Sequence, residues 1–186
     1  TLILSGDNTI GTAYSGITTI TNGVVKISNA KALGTTGGNT IINGTGTVLI
    51  DSNNYTIDEP FTISGSGVSS NQGAIRNLGK VTTLSGAITL GANARITAAG
   101  YNTVEPLDSL IISGGINTAN ASYVLTLDVQ DGMRISGVIS GAGGITKVGN
   151  DTLRLTFEKD LNNTNSWALK KTKNFGIITF NNGCYK

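Results

Sequence analysis

Carboxylates are the side chains of this 186-residue chain with the most chemical potential. Three groupings stand out: Asp58-Glu59, Glu105 with Asp108, and Asp128 with Asp131. Two acids held about 5 to 10 Å apart can split a glycosidic bond, one giving a proton while the other attacks or activates water. Asp58-Glu59 and Glu105-Asp108 both flank a proline in a loop, which could bring them to one side of the molecule. Arg95 or Arg134 beside such a pair would complete an enzyme-like site. The simpler reading is a set of solvated turn carboxylates, and spacing alone does not say whether those loops meet.

Other chemistries are closed off by what is missing. The chain has no histidine, which removes Ser-His-Asp and Cys-His catalysis, histidine-bound zinc and the commonest general base near neutral pH. Cys184 is the single cysteine, so no disulfide framework and no thiolate metal site can form within one chain. It reads as an inert thiol. Ser66 has Ser64, not glycine, two residues before it, so no nucleophile elbow is present. Gly141-Ala-Gly-Gly144 is a corner rather than a phosphate cradle, since no helix follows it. No calcium-binding glycine-aspartate nonapeptide occurs. We expect no metal and no cofactor. Tyr55, Tyr101 and Tyr123, with Tyr14, could stack sugars if they align, although aromatics at turns usually pack corners. Thr19-Ile-Thr21 and Thr45-Gly-Thr47 are too irregular for an ice-binding array.

The elements that would position these groups are short strands. Leu2 and Leu4, Val25 and Ile27, Ile57 and Phe61, Leu84 and Ile88, and Leu153 and Leu155 recur at strand-like spacing with polar neighbours. Turn signals such as Asn22-Gly23 arrive every 6 to 12 residues, and no stretch of 1–156 has a 3.6-residue period. Glycine is abundant at 26 residues, while charged residues make up only 13%, about half the usual fraction. The surface must therefore be hydrated by Thr, Ser and Asn. Degenerate repeats of a unit that cannot bury its own face imply stacking. The expectation is an all-β chain, a right-handed parallel β-helix (β-solenoid) of about six to eight coils at roughly 20 to 25 residues each.

Leu2-Ile-Leu-Ser-Gly-Asp-Asn-Thr9 through Gly16-Ile-Thr-Thr-Ile-Thr-Asn-Gly-Val-Val-Lys-Ile27 resembles the autotransporter-associated β-strand repeat. Phe61-Thr-Ile-Ser-Gly65, Leu84-Ser-Gly-Ala-Ile-Thr-Leu-Gly91, Ser136-Gly-Val-Ile-Ser-Gly-Ala-Gly-Gly-Ile-Thr-Lys-Val-Gly149 and Thr152-Leu-Arg-Leu-Thr156 resemble the passenger segments around such repeats. The resemblance covers 1–156. It implies a right-handed β-helix from a bacterial surface or secreted protein, acting as a stalk, adhesin segment or scaffold, with no catalytic residues of its own. The alternative is a small β-helical carbohydrate-active protein, a glycoside hydrolase or polysaccharide binder using the paired acids.

Residues 1–156 carry eight basic and nine acidic side chains, a net of −1, whereas 157–186 carry five and two, a net of +3. Such a body offers no field for nucleic acid. No apolar run is long enough to insert in a membrane as a helix. The expected partners are a polysaccharide or host or cell-surface glycans. The chain opens mid-pattern at Thr1, as a processed form or excised fragment would. After Thr156 the pattern lapses into Phe157-Glu-Lys-Asp-Leu161, a stretch with Trp167, and Phe175-Gly-Ile-Ile-Thr-Phe180. Residues 157–186 read as a cap over the last coil, formed by Trp167, Leu169, Phe175 and Phe180, or as a non-native terminus. Open terminal coils would favour end-to-end self-association, and light scattering showing a strict monomer at high concentration would count against it.

Overall fold

The computed structural model describes residues 1–51, 54–69, 72–101 and 108–156, with the backbone alone of 178–180. Every strand pairing in it is parallel. An 11-stranded sheet contains β1 (Leu2–Leu4), β2 (Thr18–Ile27), β3 (Thr40–Ile50), β5 (Phe61–Gly65), β6 (Ile75–Asn77), β8 (Ile88–Ala98), β10 (Ile116–Asn117), β11 (Val124–Val129), β13 (Ile139–Ser140), β14 (Gly144–Val148) and β16 (Ile178–Phe180). A five-stranded sheet runs β4 (Tyr55–Ile57), β7 (Thr82–Leu84), β9 (Asp108–Ile112), β12 (Gly132–Ile135) and β15 (Leu153–Leu155). The chain visits a first arm of the large sheet, a second arm, then the small sheet, and returns one level on. The result is a β-solenoid of about six turns.

Register fixes the coil length. Thr18 pairs with Thr40, Thr40 with Phe61, Phe61 with Ile88, Ile88 with Ile116 and Ile116 with Ile139. Successive coils thus advance by 22, 21, 27, 28 and 23 residues. The two longest exceed the 20 to 25 expected, because they carry excursions between β5 and β6 and between β8 and β9.

Strand alternation sends every second residue into the lumen. Ile20, Ile42, Ile63 and Leu90 stack in one ladder, and Phe61, Ile88, Ile116 and Ile139 in the next. Val48, Ile75, Ile96 and Leu127 form a third on the second arm, while Ile57, Leu84, Ile112 and Ile135 line the small sheet. All of these are buried, and each fully buried aliphatic side chain contributes about 1.5 to 3 kcal/mol. A parallel sheet normally needs helices on its faces. Here the lumen serves as the one buried face, and no helix occurs among the described residues.

Polar residues interrupt the ladders at several places, Thr82 between Tyr55 and Leu110 among them. Thr40 sits among Phe61 and Ile88. Asn77 replaces an aliphatic above Ile50, with its amide donating to Ser109 O at 2.8 Å and its Oδ1 accepting from Thr82 Oγ1 at 2.9 Å. Lys147 continues the Leu127 ladder, buried, with Nζ on Gly149 O at 2.9 Å.

Glycine marks the corner from the small sheet back to the first arm. Ser85-Gly86, Ser113-Gly114 and Ser136-Gly137 stack there, each serine amide donating to the coil before. A Cβ on Gly114 would collide with Gly86 O, and one on Gly137 with Gly114 O. The recurrent Ser-Gly is thus a demand of coil spacing.

Trp167, Leu169 and Phe175 of the expected cap lie outside the described residues. The strand β16 adds in parallel to β14, pairing Ile178 with Ile145 and Phe180 with Lys147.

Candidate functional site

Asp58 and Glu59 follow β4, and alternation turns them to opposite faces. Asp58 points outward, with Oδ2 2.5 Å from Lys31 Nζ. Glu59 points inward, 4% exposed, and its Oε1 accepts from Thr40 Oγ1 at 2.8 Å. Its Oε2 is buried without a hydrogen-bond partner. Desolvation holds the Glu59 carboxyl above the usual glutamate range; the Thr40 bond opposes this and the charge of Asp58 reinforces it. One acid outside and one inside cannot serve the same bond of one substrate.

Glu105 lies outside the described residues. Asp108 opens β9 and is 1% exposed. Arg154 Nη1 donates to its Oδ1 at 2.9 Å, and Arg134 Nε lies 3.4 Å from its Oδ2. The two arginines are register partners on the outer face of the small sheet, Arg134 beside Arg154 on consecutive coils. The carboxylate therefore ties three coils together.

Asp128 stands on the outer face of the second arm. Its Oδ2 accepts from Arg95 Nη1 at 3.0 Å and from Gln130 Nε2 at 3.1 Å. Asp131, at the next corner, accepts from Gly132 N at 3.1 Å. Arg95 and Arg134 do stand beside acids, but each beside a different one and on different faces. Asp58, Glu59 and Asp128 are each held by their own partner, Lys31, Thr40 and Arg95.

The tyrosines occupy four different places along a coil. Tyr14 precedes the first arm and bonds Ile17 O at 3.0 Å. Tyr55 starts β4, packs on the core and donates to Ser28 O at 2.6 Å. Tyr101 follows the second arm at 72% exposure, and Tyr123, packed on the core, precedes β11. They do not form one column. Among the described residues no three His, Cys, Asp or Glu side chains gather where they would hold a metal ion.

Sequence reading passed over Arg76 and Thr97. Arg76, Thr97 and Asp128 share one outward column on three consecutive coils. The signal lay in coil length: 21 and 31 residues separate them, and only known excursions turn such intervals into neighbours. No family model, no curated protein and no solved structure matches the chain.

Proposed function

We propose that this chain is a spacer: a structural β-helix segment of a bacterial surface or secreted passenger protein, a stalk or scaffold without catalysis of its own. The observation that carries the reading is the employment of the carboxylates. Asp58, Glu59, Asp108 and Asp128 are each engaged in holding one coil to another, across 19 to 46 residues of sequence. An acid tied to an arginine two coils away keeps the stack in register and is unsuited to trade protons with a substrate. The repeat pattern of 1–156 supports the autotransporter-type assignment, and the uncharged Thr and Asn columns suit a hydrated exterior.

The test is a panel of soluble neutral and acidic polysaccharides, assayed for new reducing ends and for unsaturated products. The spacer is expected to release none while keeping a β-rich spectrum. Turnover that vanishes in Asp58→Asn/Glu59→Gln or Asp128→Asn/Asp131→Asn would overturn the reading and name the acids.

A further inference from the structure

Among the described residues seven buried side-chain atoms lack a hydrogen-bond partner, and three of them are donors in one patch: Arg76 Nε, Arg95 Nε and Thr97 Oγ1. The patch lies on the outer face of the second arm. Arg76 on β6 is the register partner of Thr97 on β8, and Arg95 sits two residues from Thr97 on the same face. Thr97 is 0% exposed, and a Cβ at Gly73 would stand 2.9 Å from its Oγ1, so that turn walls the patch. Arg95 gives one Nη to Asp128. Arg76 has no carboxylate partner among the described residues. The local charge is two guanidiniums against one carboxylate.

Enclosed donors without acceptors call for an acceptor from outside, by solvent or ligand, since leaving a donor unpaired costs on the order of 1 to 3 kcal/mol. A spare positive charge selects an anion, and a planar guanidinium fork selects an oxyanion. The row leaving Arg95 across the next coils is Thr126 and Thr146, hydroxyls spaced about 4.8 Å apart. An anionic group followed by hydroxyl partners is the chemistry of an acidic sugar.

We propose that Arg76, with Arg95 and Thr97 behind it, binds the oxyanion of an acidic polysaccharide, a uronate carboxylate or a sulfate ester. Arg76 is assigned the direct contact, because its Nε is enclosed without a partner while the residue as a whole is only half-buried. Arg95, oriented by Asp128, and the Thr97 hydroxyl shape the donor-rich floor. The inference does not depend on the spacer reading, since binding and turnover are read separately.

Affinity electrophoresis of the whole chain through gels holding polygalacturonate, dextran sulfate or neutral dextran tests this. Wild-type protein is expected to be retarded by an acidic polymer and not by dextran. Arg76→Gln should weaken that retention about tenfold, the loss of one charge-assisted contact. Arg76→Lys, which keeps the charge and loses the fork, should fall between the two. Thr97→Val should weaken it by a smaller factor. Lys26→Gln removes the same charge from the same outer column two coils away and should leave retention unchanged. The polymer on which the Arg76→Gln loss falls identifies carboxylate or sulfate. Retention equal in wild type and Arg76→Gln, equal loss in Lys26→Gln, or no retention by either acidic polymer would overturn the site.

Discussion

Asp108 and Glu59 are both buried carboxylates, and the fold treats them in opposite ways. Asp108 keeps its charge company: two guanidiniums from later coils converge on its two oxygens. Glu59 has one threonine hydroxyl as a partner, its other oxygen is buried without one, and desolvation raises its proton affinity. The difference follows from side. Asp108 faces the outside of the small sheet, where long arginines can lie along the surface with their ends in water. Glu59 faces the lumen and has only the Thr40 hydroxyl as a side-chain partner, whereas Lys147, the long cation that does enter the lumen, is held by its own Gly149 carbonyl. The flank thus holds its buried carboxylate by paired charge, and the lumen holds Glu59 by a single hydroxyl.

The comparison is broken most severely from the arginine side. Removing the two arginines, Arg134→Gln with Arg154→Gln, takes both guanidiniums from a buried anion and is expected to cost about 3 to 5 kcal/mol in urea unfolding. Asp108→Asn should cost less, about 1 to 3 kcal/mol, because the half-exposed arginines it releases can hydrate themselves. Equal losses would show that the arginines are enclosed as fully as the acid.

Glu59 sharpens the other half. It binds its proton more tightly in the folded chain than in the unfolded one. The stability it contributes is therefore complete below 4.5, the ordinary glutamate value, and is lost as pH rises through its higher folded value. Unfolding midpoints of the wild type should fall across that window, and Glu59→Gln should remove the fall, gaining on the order of 1 kcal/mol at the alkaline end. A wild type that grows more stable with pH there, relative to Glu59→Gln, would contradict the burial argument. The smallest effect belongs to Lys26–Asp51, a surface pair at 2.6 Å with both partners well hydrated. Asp51→Asn should change stability by under about 1 kcal/mol, and less at high salt.

The architecture was legible because alternation and turn chemistry are local. Val25-Lys26-Ile27 declares an inside and an outside without reference to any other residue, and Asn22-Gly23 declares a break that the structure realises as a register shift and a positive-φ glycine inside β2 rather than as a hairpin turn. Even the division of Asp58 from Glu59 follows from Ile57 facing inward, once β4 is allowed to run on by two residues. The contacts between coils were not legible. Arg154 reaches Asp108 over 46 residues, and that distance is two coils only because the two coils between them are of ordinary length. A four-residue change in one corner would have paired Arg154 with a different neighbour on paper while leaving every local signal intact. The acids were therefore visible as residues, while their partners depended on a count that the local patterns do not contain. Asn77 and Lys147 illustrate the same limit, since a polar residue in an inward position looks like an outward one until the register is known.

The direction of the strands has a mechanical consequence. They lie across the long axis, so the hydrogen bonds between coils point along it. Each coil adds about 4.8 Å of height for 21 to 28 residues of chain, whereas the same residues pulled straight would span about 3.3 Å each. Tension along the axis therefore opens one inter-coil seam at a time, and each opened seam releases a long reserve of slack. Under load such a rod would lengthen in steps, with Asp108, clamped to two later coils, acting as a rivet that delays the step it crosses.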